Sequence, residues 1–215
     1  MRNYIVIDTE TSGFVTQDTR VVQLGYCLVE DNKAVTTQSI DLFPDAGMYI
    51  KEAAFKTHGL TVEHLKTTGS DPTEVFTEFR TILDNLTKAG YGIVGHNLIG
   101  FDSKIINIEF GRRGLPKFDF SKAYVTDTGA IYKANELHMF RQTDSEWEFM
   151  KEALNRRVTG LFWNLKVCCE AHGIKVDSEK AHDAGYDCEL TQQLYEALLS
   201  KGIICGTMAV EEPAF

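Results

Sequence analysis

No stretch of this 215-residue chain holds 18 or so consecutive apolar residues, so the sequence contains no membrane-spanning helix. Nor is there C-x-x-C spacing among its five cysteines, Cys27, Cys168, Cys169, Cys188 and Cys205. Their odd number and mostly apolar surroundings argue against a zinc site or a disulfide framework, and a reducing cytoplasm is the expected compartment. Internal repeats and low-complexity tracts are absent as well. The first strand-like run starts within three residues of Met1, which is expected to leave no room for a signal peptide. Basic charge is also short. The 22 Lys and Arg against 31 Asp and Glu leave a net charge of −9, whereas a nucleic-acid binder usually shows a basic footprint. Two features soften that argument. A metal-dependent site is acidic by construction, and bound cations reverse its local sign. Lys104, Arg112, Arg113, Lys117 and Lys122 also fall within one short region, as a binding footprint or as a solvated positive face.

What is present is globular: 43% hydrophobic and 25% charged residues in a length that suits one sizeable domain. Tyr4-Ile5-Val6-Ile7 is a short aromatic and β-branched run that predicts a strand buried on both faces. Asp8 and Glu10 follow at i and i+2, so both point to one side, with Cα atoms roughly 6.5 Å apart. Two acids at the end of a core strand are either solvated in a loop or partnered by a cation. A hard divalent ion with oxygen ligands is the simplest such partner.

Val21–Val29 and Ala34–Phe43 predict two further strands, with polar Asp31-Asn32-Lys33 turning between them. The short gaps imply an antiparallel meander. A loop and short helix around Ala54 and His58-Gly59-Leu60-Thr61 come next. Asp71-Pro72-Thr73-Glu74 predicts a helix start, and Val75, Phe76, Phe79, Ile82, Leu83 and Leu86 mark its apolar face up to Gly90. Tyr91–Gly95 predicts a buried strand parallel to the first. His96-Asn97-Leu98-Ile99-Gly100-Phe101-Asp102 then leads into a helical run from Ser103 to Arg113. Asp102 falls at its expected N-cap, or else delivers a third acid to the edge where ligands of open α/β sheets sit.

Ala123-Tyr124-Val125 predicts a last short strand, before Asp127-Thr128 opens another helix. Residues 133–160 are longer, more polar and less patterned, an excursion of undefined structure. Leu161, Phe162, Leu165, Cys168 and Cys169 predict a helix closed by Gly173. The stretch from Ala181 to Asp187, which holds His182, opens a helix through Leu199. Five residues apart, His182 and Asp187 cannot share one helical face, and they converge only if His182 lies in the preceding loop, with Asp183 as cap and Asp187 in the first turns.

The ordered set of D-x-E after a first strand, H-N-x-x-x-F-D after a later strand and H-x-x-x-x-D opening a late helix resembles the DEDDh (DnaQ-like) family of 3′→5′ exonucleases. The likeness runs from Tyr4 to about Leu199 and takes in His58-Gly59-Leu60-Thr61 and Asp127-Thr128. It implies a ribonuclease H-like α/β fold with a central mixed five-stranded sheet flanked by helices. By the same resemblance, Asp8, Glu10, Asp102 and Asp187 are ligands of two magnesium or manganese ions, and His182 is the general base. Thr9, Thr11, Gly13, Phe14, His58, Asn97 and Phe101 stand where relatives contact the terminal nucleotide. An exonuclease domain over residues 1–200 and a short tail over 201–215 follow.

The expected activity is removal of nucleotides from 3′ ends, of single-stranded DNA above all. An exoribonuclease shares every catalytic part, and a non-catalytic polymerase-accessory module would share the fold. With no polymerase domain in the chain, any replication partner acts in trans. The acidic tail from Met208 to Phe215 is either terminal disorder or a docking peptide for such a partner.

Overall fold

The sheet is built outward from one buried strand. In a computed structural model that describes residues 2–142 and 144–203, β1 is Tyr4–Thr11, and Tyr4 to Ile7 are at most 1% exposed. It pairs antiparallel with β2 (Val21–Glu30), which pairs antiparallel with β3 (Lys33–Asp41). On its other side β1 pairs parallel with β4 (Gly92–Gly95), and β4 pairs parallel with β5 (Val125–Asp127). The mixed five-stranded order β3-β2-β1-β4-β5 matches the expected architecture. The last strand begins two residues later than predicted, at Val125 rather than Ala123.

Alternation along β1 sorts the two layers. Ile5 and Ile7 face a large cluster with Phe76, Phe79 and Leu83 of α3 (Pro72–Lys88) and Ile105, Ile106 and Phe110 of α4 (Asp102–Arg112). Tyr4 and Val6 face Cys188 and Tyr195 of α8 (Ala184–Ser200), and the Tyr4 and Tyr195 rings meet edge to face at 5.1 Å. Asp8 and Glu10 continue the Tyr4–Val6 row, so they emerge beneath the start of α8. Two short helices, α1 (Glu52–His58) and α2 (Val62–Thr68), precede α3. The α3 start is as predicted: the Asp71 carboxylate accepts from the Thr73 and Glu74 N–H groups, with Pro72 in the first turn.

Four expectations need correction. Asp102 is not a cap. Phe101 holds that position without a side-chain bond, and Asp102 is the first helical residue, turned toward Thr9. Residues 133–160 are not shapeless: α5 runs Thr128–Glu136 and α6 runs Glu146–Asn155, with Phe149, Met150 and Ala153 buried. The α6 signal was weak because only one side of that ten-residue helix is apolar, and α5 is buried all round with polar Thr128 and Lys133 among its buried residues. The next helix, α7 (Leu165–Ala171), starts at the Asn164 cap rather than at Leu161, and Phe162 is 70% exposed. The basic cluster is neither footprint nor solvated face at its centre. Arg112 and Arg113 turn inward to the fully buried Glu109, whose Oε1 also accepts from the Val21 N–H at 3.0 Å. Lys122 pairs with Asp119. A buried carboxylate needs such partners, and local sequence does not reveal that they are three and four residues ahead on one helix face.

Among the described residues no helix is long and apolar enough to cross a membrane, and the four described cysteines are free and buried. Cys205 and the Met208–Phe215 tail lie outside the described residues.

The α6 assignment is testable. Phe149, 2% exposed, should cost about 3–5 kcal/mol when cut to Ala, whereas Phe162→Ala should change stability by less than about 0.5 kcal/mol. Urea unfolding of both variants checks this, and equal losses would contradict the packing described.

Candidate active site

Asp8 and Glu10 occupy the end of β1 because the hydrophobic row that buries Tyr4 and Val6 runs out there. Asp102 comes from the opposite layer. Thr9 points to the α4 side, and its hydroxyl donates to Asp102 Oδ1 at 2.6 Å, which holds that carboxylate at the strand edge next to Asp8. The turn between β4 and α4 is braced from below by the buried Asp127, whose oxygens accept from the N–H groups of Asn97 and Ile99, each at 3.0 Å. Asn97 adopts φ +61°, a left-handed conformation that Asn tolerates better than most residues.

Asp187 arrives on the first turn of α8. Asp183 caps that helix through the Tyr186 N–H, and His182 precedes the cap, as expected from the five-residue spacing. His182 has φ +70° and is exposed. Its backbone N–H donates weakly to Asp187 Oδ1 at 3.4 Å, and its Nδ1 lies 4.0 Å from Asp187 Oδ2. A non-glycine residue held in this region costs on the order of 1–3 kcal/mol, and here it turns the imidazole back over the acids. Ligand atoms of Glu10, His182 and Asp187 all lie within 4.8 Å of one another.

The acids strain against each other. Burial, then the charge of Asp102, then that of Glu10 hold Asp8 well above the usual carboxylate range. Burial and the neighbouring Asp187 and Asp102 push Glu10 up to about 8. Burial raises Asp102 to about 7 against the opposing hydrogen bond from Thr9. Asp187 is raised by burial to about 6, with His182 pulling it down. Carboxylate oxygens, crowded and under-neutralised, are the donor set of a hard divalent cation, and the His182 imidazole stands beside them.

A cleft of about 200 Å³ opens beside Glu10, lined by Thr9, Thr11, Gly13, Phe14, His58 and Phe101. Phe14 is 76% exposed, so it is not part of the core. Burial lowers the pKa of His58. Its Nδ1 accepts from the Leu60 N–H at 3.0 Å, which leaves Nε2 to donate to the Thr11 carbonyl at 3.2 Å. The Thr9 and Thr11 hydroxyls are engaged internally, with Asp102 and the Gly13 carbonyl. Asn97 does not line this cleft; its side chain folds over Gly100, where a Cβ would stand 2.2 Å from Asn97 Oδ1. Reasoning from sequence missed Lys51, Ala54 and Thr57, which line the same cleft from α1 and the residue before it. Only the helical periodicity of that short segment could have pointed to them.

A family model described as Exonuclease (RNase_T) matches residues 5–195. The chain belongs to this exonuclease family. The resemblance to DEDDh 3′→5′ exonucleases and the ribonuclease H-like fold are thereby borne out. Ribonuclease T of Yersinia enterocolitica is 26% identical to this exonuclease over 211 residues, covering 92% of this chain and 84% of the relative. Ribonuclease T of Yersinia pestis matches equally well. Among solved structures, the zinc-bound complex of E. coli exonuclease I with single-stranded DNA superposes with a TM-score of 0.74 at 17% identity, over 94% of this chain and 41% of that one. Its complex with a dA16 oligonucleotide gives 0.74 at 16% identity, over 93% and 41%. This exonuclease thus spans about two fifths of exonuclease I and shares its fold.

The clustered acids make a pH prediction. Unfolded carboxylates titrate near 4, and the folded values of Glu10, Asp102 and Asp187 are about 8, 7 and 6. Between those limits the native state holds more protons than the unfolded chain, so stability falls as pH rises. Metal-free protein should melt lower at pH 8 than at pH 5, and magnesium should restore the difference at pH 8. Melting curves with and without chelator check this. A stability that rises over that interval would contradict the cluster.

Proposed function

We propose that this exonuclease hydrolyses single-stranded DNA from the 3′ end, with Asp8, Glu10, Asp102 and Asp187 holding two magnesium or manganese ions and His182 acting as general base. The observation that carries the reading is the convergence of Glu10, Asp187 and His182 within 4.8 Å, beside an open cleft that presents Phe14. Bound there, the cations would polarise the attacking water and offset charge on the attacking and leaving oxygens of an in-line displacement. The chain's own residues do the rest. Thr9 orients Asp102, and the positive φ of His182 presents an exposed imidazole that accepts the proton from water. Phe14 offers a face on which any terminal base can stack, which suits sequence-tolerant trimming. Unpaired bases are free to stack on such a ring, so single strands are favoured over duplex ends.

A second reading is an exoribonuclease, favoured by the two relatives named ribonuclease T. Side-by-side digestion of 5′-labelled single-stranded DNA, duplex DNA and RNA of one sequence separates the two. The proposal expects single-stranded DNA to be shortened fastest. RNA consumed faster by tenfold or more would favour the second reading, and no shortening of any substrate in magnesium would leave a non-catalytic module.

His182→Ala should lower kcat by about 10²–10⁴ while metal affinity, read by calorimetry, stays near the parent's. A large loss of affinity would make His182 a ligand instead. Phe14→Ala should raise KM for single-stranded substrate about 5- to 100-fold, the worth of one stacked base, and an unchanged KM would remove Phe14 from the contact.

A further inference from the structure

The face of the sheet that presents Asp8 and Glu10 continues across two more strands. In register, Asp8 pairs with Gly25 and Gly25 with Ser39; Glu10 pairs with Gln23 and Gln23 with Asp41. Cross-strand neighbours share a face, so two rows of three residues run from the acids toward the sheet edge. The first turn of α8 rests on them. A Cβ on Gly25 would stand 2.2 Å from the Ala184 carbonyl oxygen, so only glycine lets the helix descend that far. Ser39 Oγ donates to Asp183 Oδ2 at 2.9 Å.

Gln23 makes the remaining bond. Its Oε1 accepts from the Ala184 N–H at 2.8 Å, and its Nε2 donates to Asp41 Oδ1 at 2.9 Å. The other Asp41 oxygen accepts from Thr68 Oγ1 at 2.6 Å and lies 2.9 Å from His64 Nε2. The Ala184 N–H is one of the helix-start donors that lack an intrahelical partner. Asp183 already serves the Tyr186 N–H, so the second cap of α8 comes from the sheet. Gln23 is 6% exposed, which makes an unmet donor there costly.

We propose that Gln23 is a positioning residue that, clamped by Asp41, fixes the first turn of α8 and so sets the distance from Glu10 to His182 and Asp187. The inference rests on the two-metal reading above and goes beyond it by assigning a residue that acts through a backbone N–H rather than on metal or substrate. The chemistry explains the residue type. The position needs one acceptor toward Ala184 and one donor toward a carboxylate, and an amide has both. A carboxylate there would face Asp41 with no proton to share, and a thioether would serve neither partner.

The roles can be exchanged, which supplies the test. Three variants are compared with the parent: Gln23→Met, Gln23→Glu, and Gln23→Glu combined with Asp41→Asn. In the double variant the carboxylate at position 23 accepts from Ala184 and from the amide at position 41, whose oxygen still serves Thr68. Manganese affinity by calorimetry, kcat and KM on a single-stranded oligonucleotide, and melting temperature are read for each. Both single variants should lose about 10- to 100-fold in manganese affinity or kcat, the usual worth of a residue that orients a ligand, with KM nearly unchanged. The double variant should recover most of that loss. Parental affinity and kcat in a folded Gln23→Met would overturn the proposal, as would a folded double variant no better than Gln23→Glu. Should Gln23→Met fail to fold, the comparison of Gln23→Glu with the double variant decides alone. A parent that binds manganese but hydrolyses nothing sinks the nuclease reading while the affinity readout still tests Gln23. A parent that binds no manganese removes both.

Discussion

Burial of four carboxylates at one site, with their repulsion added, is the constraint around which this fold is arranged. Asp8, Glu10, Asp102 and Asp187 are brought to one edge of the sheet from three separate elements, each partly or wholly desolvated. Without counter-charge such a group would rather spread into water. The apolar layers prevent it. Ile5 and Ile7 lock β1 to α3 and α4 on one face, while Tyr4 and Val6 lock it to α8 on the other. The acids lie just past the end of this double clamp, where packing decides their separation and charge cannot. The left-handed conformations of Asn97 and His182, in the turns before α4 and α8, are further local strain maintained by surrounding structure.

This arrangement accounts for a chain that is acidic overall and yet belongs to a nuclease family. Part of the negative charge is the site itself, and a cation there inverts the local field that a phosphate meets. The two arginines that suggested a basic footprint serve the interior instead. Arg112 also donates to the Gln17 carbonyl, and Thr19 to the Phe14 carbonyl, so the buried Glu109 helps brace the loop that presents Phe14. Counting charges would have missed both facts, because one depends on a ligand and the other on burial.

Features with a local signature were legible in the sequence. The apolar run of β1, the Asp71-Pro72 start of α3, the parallel step into β4 and the loop position of His182 all follow from spacing, propensity and capping chemistry. The acids were legible as an ordered set, although none was distinctive singly. Features that depend on distant partners were not. Asp102 sits where a cap would sit, and only its bond to Thr9, 93 positions away, shows otherwise. Gly25 looks like any strand glycine until Ala184 arrives above it. The α5–α6 region lacked a strong period because α6 buries only a narrow stripe, while α5 is buried all round, polar Thr128 and Lys133 included.

The claim that the four carboxylates form one cation-binding centre can be tested directly with anomalous scattering. Crystals of the exonuclease soaked in manganese should show two strong anomalous peaks between Asp8, Glu10, Asp102 and Asp187, within normal oxygen-ligand distance of each carboxylate. His182 should stand clear of both peaks. An empty site at saturating manganese, or peaks held elsewhere on the surface, would contradict the account.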